Sequence, residues 1–146
     1  MIKEVKSDLF ELRVDALAHG CNTQGVMNAG IALEFKRRYP QMYQEYIRYC
    51  KTGLFDLGEV HFYRSEDAKP HVINIATQLD TRTPAQLSYI EMGLNKIAIN
   101  YKAWNISSLG IPHIGCGLGS LDWRDVKEVI IRVFGSSDLE VLIANR

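Results

Sequence analysis

The sequence predicts an α/β fold, a three-layer α/β/α sandwich around a mixed, mostly parallel central sheet. Short apolar runs of strand length alternate along the chain with longer segments in which apolar residues recur at helical spacing. The runs are typical of strands that helices bury on both faces. Ligands of such sheets bind over the carboxyl ends of the strands. The loops that leave those ends are therefore the candidate functional segments.

The first elements follow from apolar spacing and from one proline. Ile31, Phe35 and Tyr39 recur at steps of four and form one face of a helix. Pro40 ends that helix and can start the next, because proline fits the first helical turn but not the interior. This half of the chain is predicted to contain a strand at 14–19, helices at 28–39 and 41–51, and strands at 58–63 and 71–76.

The second half of the chain repeats the alternation. One predicted helix carries the apolar face Leu87, Ile90, Leu94, Ile97, Ala98 and Tyr101, and another carries Val126, Val129, Ile130 and Val133. Gly135 ends the second of these helices. The elements are a helix at 84–102, a strand at 108–114, a helix at 122–134 and a strand at 139–144.

Size, charge and composition predict one globular domain spanning residues 1–146. Hydrophobic residues make up 47% of the chain and charged residues 23%, which is ordinary for a folded protein. The 17 basic residues equal the 17 acidic ones, and this balance argues against a general nucleic-acid binder. A local pocket for one phosphate group remains compatible with neutral charge.

Cysteine usage and the lack of long apolar runs predict a cytoplasmic protein. The three cysteines, Cys21, Cys50 and Cys116, have no metal-ligand spacing and cannot all pair internally. No apolar run reaches the length of a bilayer, and the mixed-charge N-terminus does not resemble a signal peptide. We therefore expect no metal, no cofactor and no membrane partner, and the oligomeric state remains open.

The segment between the predicted strand at 108–114 and the following helix is rich in glycine. Gly115, Gly117 and Gly119 occupy alternate positions, which exposes backbone amides and permits positive φ angles. The next helix, with Asp122 placed to cap it, adds free N–H groups and the positive end of its dipole. The pattern predicts a phosphate cradle in preference to a plain turn.

Other phosphate-binding motifs do not fit this segment. No Gly-Lys-Ser/Thr follows it, and its third glycine does not match the dinucleotide-binding fingerprint. A thiol phosphatase would need an arginine where this chain has Asp122, and Arg124 lies too far along. We therefore interpret Cys116 as a packed residue and not as a nucleophile.

A second loop connects the strand at 14–19 to the helix at 28–39. Gly25 and Gly30 keep side chains away from the helix entrance. Asn22 offers both a donor and an acceptor, which suits a ribose hydroxyl. An Asx turn is an equally good explanation of Asn22 from local sequence.

The two loops together resemble the macrodomain family over essentially the whole chain. The matching segments are Ser7-Asp8-Leu9, Asp15-Ala16-Leu17-Ala18-His19-Gly20-Cys21-Asn22, Gly30-Ile31-Ala32 and Ile114-Gly115-Cys116-Gly117-Leu118. Within the family, residues 115–123 are similar to the branch of terminal ADP-ribose protein glycohydrolase and the DarG-type DNA ADP-ribosyl glycohydrolases. The resemblance implies a pocket for ADP-ribose, or for ADP-ribose attached to protein or nucleic acid.

The resemblance also implies roles for individual residues. Asp8 would accept a hydrogen bond from the adenine amino group, and the Leu9 amide would serve a ring nitrogen. Asn22 would face the distal ribose. The phosphates would be bound by Gly30, Ile31 and Ala32 at the helix entrance and by Gly115, Cys116, Gly117, Leu118, Gly119 and Ser120 in the glycine segment.

The chain departs from the glycohydrolase pattern at the position of the catalytic lysine. In that branch a lysine follows a threonine at the end of a central strand, whereas here Thr77 precedes Gln78. We expect both residues at the ligand, but an amide can neither form a Schiff base nor act as an effective base. In the protein-directed member an aspartate follows the Gly-Cys-Gly-Leu run, where this chain has Gly119.

A second enzymatic interpretation does not need the lysine. Residues 18–22 and 38–40 are also similar to the yeast-type ADP-ribose 1''-phosphate phosphatases of the same branch. His19 or His113 would then carry protons, and the loop amides would stabilise charge. A packed role within the strand is the alternative for His19.

The sequence is compatible with three functions. The first is ADP-ribose binding with hydrolysis of ADP-ribose 1''-phosphate. The second is removal of ADP-ribose from protein or DNA with Gln78 in place of the lysine, and the third is a non-catalytic ADP-ribose reader.

Overall fold

A six-stranded sheet separates two pairs of helices. This computed structural model describes residues 1–145. The strands are β1 (Ile2–Val5), β2 (Ala16–Asn22), β3 (Val60–Tyr63), β4 (His71–Gln78), β5 (Ser108–Ile111) and β6 (Glu140–Ala144). The helices are α1 (Gly30–Arg38), α2 (Pro40–Lys51), α3 (Leu87–Asn100) and α4 (Trp123–Phe134), with a short 3-10 helix at Leu9–Glu11. The strand order is β1-β6-β5-β2-β4-β3.

The sheet is mixed, with one antiparallel strand at its edge. β3 pairs antiparallel with β4, and the other neighbouring strands pair in parallel. A short polar connection joins β3 to β4, which only antiparallel neighbours permit, whereas parallel neighbours need a helical crossover. The predicted three-layer α/β/α sandwich with a mostly parallel sheet is confirmed.

Alternate residues of the central strands face different helical layers. Ala16 and Ala18 of β2 pack into the core beneath α3 and α4, whereas Leu17 and Cys21 pack beneath α1 and α2. Successive side chains of a strand point to opposite faces, so a strand buried on both faces is apolar at nearly every position. This explains why the strands read as continuous apolar runs.

The predicted elements occur, but several of their ends differ. β2 continues to Asn22 and not only to residue 19, and β5 ends at Ile111 because Pro112 has no amide for the ladder. α1 begins at Gly30 because Ala29 is still extended, at φ −147° and ψ 156°. β1 and the 3-10 helix were not among the predicted elements, and the latter begins where the Asp8 side chain accepts from the Phe10 amide.

The helices are short and bury one face. α3 has 14 residues and buries Ile90, Gly93, Leu94 and Ile97. None of the helices within residues 1–145 is both long and apolar enough to cross a membrane.

Candidate functional site

A cavity of about 790 Å³ opens over the carboxyl ends of β2, β4 and β5. α1 follows β2 on one face of the sheet, whereas α3 and α4 follow β4 and β5 on the other. The loops therefore diverge and leave a crevice between them, as is usual in open α/β sheets. The predicted ligand-binding residues that line it are Asn22, Gly30, Ile31, Ala32, Thr77, Gln78, Gly115, Gly117, Leu118 and Gly119.

The entrance of α1 presents backbone amides to the cavity. Ala29 precedes the helix and makes no side-chain capping hydrogen bond. Gly30 has φ +56°, and a Cβ atom there would meet no atom within 4 Å. The first amides of a helix have no partner within the helix. The amides of Gly30, Ile31 and Ala32 therefore have no intrahelical acceptor, and all three residues lie on the cavity wall.

The glycine loop, residues 115–120, is folded by its own hydrogen bonds. Gly115 has φ +76°, and its carbonyl accepts from the Leu121 amide at 2.8 Å. A Cβ atom on Gly119 would lie 2.6 Å from the Gly115 carbonyl oxygen, so only glycine fits there. Gly117 differs, since a Cβ atom there would point into open space.

The folding of the glycine loop leaves three consecutive amides for a ligand. The backbone hydrogen bonds in and around this loop use the amides of Cys116, Ser120 and Leu121. Within residues 1–145, the amides of Gly117, Leu118 and Gly119 donate to no protein acceptor. These three residues line the cavity, so the loop has the free donors that a phosphate cradle requires.

Two residues of the glycine loop lie off the cavity wall. The Cys116 thiol donates to the Ile114 carbonyl at 3.4 Å, and burial raises its pKa, which disfavours the thiolate. Ser120 is exposed at φ +68°, and its hydroxyl turns back towards the Leu118 carbonyl. The structure does not bring either side chain to the cavity lining.

Asn22 holds its own loop together. Its Oδ1 accepts from the amides of Gln24, Gly25 and Val26 at 3.1 to 3.2 Å, and its Nδ2 donates to the Val26 carbonyl. This is the Asx-type turn that the sequence left as an alternative. One N–H of the amide remains for a ligand, because the carboxamide carries two.

Thr77 and Gln78 end β4 at the cavity, and both side chains bond to the protein. Thr77 is buried and its hydroxyl faces the Cys21 carbonyl at 3.4 Å. The Gln78 Nε2 donates to the carbonyl oxygens of Asp80 and Thr83 at 2.9 and 3.0 Å. Gln78 therefore fastens the loop that follows β4.

Asp8 and Leu9 lie outside the cavity lining. Asp8 Oδ1 accepts from the Phe10 amide at 2.9 Å, and the Leu9 side chain is buried. Both residues follow β1, which pairs in parallel with β6, the neighbour of β5. Asp8 and Leu9 therefore lie at the carboxyl ends of the strands, as the cavity does, but farther along the sheet than β5.

His19 has no access to the cavity. It is fully buried, stacks on Phe35 with ring centroids 3.9 Å apart, and bonds to Asn74 at 2.6 Å. Burial lowers the pKa of His19 to about 4, so the ring is neutral near pH 7. The packed alternative describes His19 correctly, and a proton-carrying role at the ligand does not fit its position.

His113 does line the cavity, at the end of β5. Its ring stacks on Trp123 at 3.8 Å, and its Nε2 is buried with no hydrogen-bond partner among the described residues. Burial lowers the pKa of His113, against the opposing charge of Glu4. β2 lies between β5 and β4 in the sheet, so His113 and Gln78 stand on different sides of β2.

Several cavity residues were not among the predicted ligand-binding set. They are Gly20, Cys21, Val26, Asn28, Ala29, Thr81, Pro112 and Ile114. Thr81 lies three residues after the end of β4, in a loop that turns at Asp80, whose carboxylate accepts from the amides of Arg82 and Thr83. The position of Thr81 shortly after a strand could have predicted it as a cavity residue, because ligands of such sheets bind over the carboxyl ends of the strands.

Comparison with known proteins identifies the family. The Macro domain family matches residues 18–130, so this chain belongs to the macrodomains. A DNA ADP-ribosyl glycohydrolase of Mycobacterium tuberculosis is 38% identical over 136 residues, covering 92% of this chain and 39% of that protein. The chain thus spans about two fifths of that relative's length. An ADP-ribose 1''-phosphate phosphatase of Lodderomyces elongisporus is 26% identical and is covered over 98% of its length, with 97% of this chain.

Solved structures show the same fold. The macrodomain of Mycobacterium tuberculosis DarG superimposes with a TM-score of 0.93 and 34% identity, over 100% of this chain and 99% of that one. Thermosipho africanus DarTG in complex with ADP-ribose gives a TM-score of 0.90 at 28% identity, over 98% of this chain and 41% of that one.

Proposed function

We propose that this chain binds ADP-ribose, with the diphosphate held between the α1 entrance and the glycine loop. The observation that carries the proposal is the presence of two sets of free amides on one cavity. One set comprises Gly30, Ile31 and Ala32, and the other Gly117, Leu118 and Gly119. They come from opposite helical layers, so a diphosphate between them receives donors on both sides.

The strand order supports one orientation of the ligand. Asp8 and Leu9 lie beyond the β5 end of the cavity, whereas Gln78 lies at its β4 end. An elongated nucleotide sugar that lies across the carboxyl ends of the strands then has its adenosine near Asp8 and Leu9. Its distal ribose lies near Asn22 and Gln78. In this orientation His113 lies on the adenosine side of the diphosphate, with β2 between its strand and that of Gln78.

The chemistry of Gln78 favours binding over lysine-type cleavage. Its carboxamide is uncharged and already donates to two carbonyl oxygens of the next loop. Such a group supplies neither a nucleophilic amine nor a base at the anomeric carbon. We therefore propose an ADP-ribose-binding module as the primary function.

Two enzymatic functions are the alternatives. Removal of ADP-ribose from DNA or protein is supported by the similarity to proteins named DNA ADP-ribosyl glycohydrolases. Hydrolysis of ADP-ribose 1''-phosphate is supported by the similarity to a named phosphatase. His113 is a neutral imidazole on the cavity wall, because burial lowers its pKa. In the proposed orientation it lies on the adenosine side of the diphosphate, so it does not reach a phosphate on the distal ribose.

The partner and the location follow from the same proposal. ADP-ribose on DNA is the favoured attached form, because the more similar relatives are named for that substrate. A cytoplasmic location is supported by the free thiols of Cys21, Cys50 and Cys116, since thiols persist in reducing compartments.

Calorimetric titration with ADP-ribose tests the binding function. We expect a micromolar dissociation constant, about −8 kcal/mol of binding free energy. ADP-ribosylated DNA, ADP-ribosylated protein and ADP-ribose 1''-phosphate are then incubated with the same preparation, and released ADP-ribose or phosphate is measured. Tight binding without release supports the binding module. Release from one substrate establishes the corresponding enzyme, and the absence of heat at saturating ADP-ribose rejects the proposal.

A further inference from the structure

Two tyrosines of α2 hold the loop that leads from β2 to the α1 entrance. This loop comprises residues 22–26 and is called the 22–26 loop below. The Tyr46 hydroxyl lies 2.7 Å from the Asn22 carbonyl oxygen and 2.9 Å from Asn22 Oδ1. The Tyr43 hydroxyl donates to the Gly25 carbonyl at 3.0 Å. Residues three apart share a helix face, so both hydroxyls meet the loop from one side.

The two tyrosines suit a fixed contact. Tyr46 is fully buried and Tyr43 is half-buried. Burial raises the pKa of Tyr46, so its hydroxyl keeps the proton that it donates. Their rings also approach each other, with centroids 5.9 Å apart. Neither residue lines the cavity, so any effect on a ligand passes through the loop.

Asn22 connects the tyrosines to the rest of the loop. Its Oδ1 accepts from three loop amides, and its backbone carbonyl is the nearer acceptor for the Tyr46 hydroxyl. On the other side of the loop, Thr23 donates to the Leu79 carbonyl, and Gln24 Oε1 accepts from the Thr81 amide. The 22–26 loop is therefore tied both to α2 and to the loop after β4, and it continues into the amides of the α1 entrance.

We propose that Tyr43 and Tyr46 are positioning residues that hold the 22–26 loop in its ligand-ready conformation. Their hydroxyls fix the loop before a ligand arrives, so binding need not include the entropic cost of ordering it. This inference rests on the proposed ADP-ribose function for its ligand, but the ordering of the loop is measurable without any ligand.

Phenylalanine substitutions remove the hydroxyls and keep the rings. Tyr46→Phe and Tyr43→Phe are compared with Tyr39→Phe, a matched control. Tyr39 is also buried at the start of α2, and its hydroxyl donates to the Pro70 carbonyl at 3.0 Å, away from the cavity. All three variants lose one tyrosine hydroxyl bond to a backbone carbonyl.

Amide hydrogen exchange gives the first readout. In Tyr46→Phe we expect the amides of Gln24, Gly25 and Val26 to exchange on the order of tenfold faster, the loss expected from one hydrogen bond. Exchange in the β4 core stays unchanged, and Tyr39→Phe leaves the loop amides as in wild type. Unchanged loop exchange in both Tyr46→Phe and Tyr43→Phe would overturn the inference. If Tyr46→Phe fails to fold, the same exchange measurement is made on Tyr43→Phe, because Tyr43 is only half-buried.

ADP-ribose affinity gives the second readout. Tyr46→Phe is expected to weaken binding on the order of tenfold, whereas Tyr39→Phe retains wild-type affinity. Equal weakening in both variants would show a general loss of stability and would overturn the positioning role. Wild-type protein that binds no ADP-ribose, together with faster loop exchange in Tyr46→Phe, would reject the proposed function and still support the loop contact.

Discussion

His19 Nε2 and Asn74 Oδ1 lie 2.6 Å apart at paired positions of β2 and β4. Asn74 Nδ2 donates in turn to His61 Nδ1 on β3 at 3.0 Å, and His61 Nε2 donates to Glu45 Oε1 at 2.9 Å. A carboxamide oxygen only accepts and its nitrogen only donates, so His19 carries a proton on Nε2 and His61 accepts at Nδ1 and carries its proton on Nε2. This leaves His61 neutral, and burial keeps His19 neutral by lowering its pKa. One buried polar row thus crosses three registered strands.

This row predicts a loss of stability below neutral pH. Burial lowers the pKa of His19 from 6.5 to about 4 and lowers the pKa of His61 as well. A folded pKa below the unfolded value stabilises the fold above pH 6.5, and this contribution declines as the pH falls towards 4. We expect a lower melting temperature at about pH 5 than at about pH 7.5.

His19→Gln isolates the contribution of the row. It removes one titrating ring and keeps a side chain that can donate to Asn74, so its melting temperature should depend less on pH. An equal pH dependence in wild type and His19→Gln would contradict the assignment.

Gly117 tests the glycine loop. Gly117→Glu places a carboxylate beside the proposed diphosphate, so ADP-ribose affinity should fall at least about tenfold through like-charge repulsion. Gly117→Ala adds only a methyl group in open space and should bind almost as wild type. Calorimetry on the two variants separates charge from shape, and equal affinities would place the phosphates elsewhere.

Asp8 tests the adenosine end. Asp8→Asn keeps an oxygen for the Phe10 amide but puts an NH₂ where the second carboxylate oxygen stood. ADP-ribose binding should weaken while the melting temperature hardly changes. Asp8→Ala should lower both, because it also removes the cap, at a cost of about 1 kcal/mol. If both variants bind as wild type, Asp8 has no part in adenine recognition.

Gln78 tests the absence of lysine chemistry. Gln78→Ala frees the loop after β4 from two hydrogen bonds and should weaken ADP-ribose binding without creating turnover. Gln78→Lys supplies an amine at the same strand end and should increase ADP-ribose release from modified DNA above wild type. Turnover by wild type that survives in Gln78→Ala would show that cleavage uses another group.

The sequence predicts the fold class and most of the cavity residues, because both depend on patterns between residues close together in the chain. The strands read as apolar runs because both faces of the sheet are buried, and the glycine loops mark the strand ends. Gly30 and Gly115 have positive φ, and Gly119 tolerates no Cβ atom, so glycine at these positions has steric causes. The ligand roles of these residues stay predictions.

The remaining features depend on contacts between distant segments. The His19–Asn74–His61 row requires the register of three strands, and the contact of Tyr46 with Asn22 joins residues 24 apart. No local spacing indicates either relationship. The resemblance predicts Asp8 at the adenine, and this role stays a prediction; the capping of the 3-10 helix by Asp8 Oδ1, outside the cavity lining, is a structural feature that was not predicted from the sequence.

A crystal structure of the complex with ADP-ribose tests the central claim most directly. The account predicts diphosphate oxygens within hydrogen-bonding distance of the amides of residues 30–32 on one side and 117–119 on the other. It also predicts the distal ribose at the Gln78 end of the cavity. A diphosphate that contacts neither set of amides, or a ligand bound outside the cavity, would contradict it.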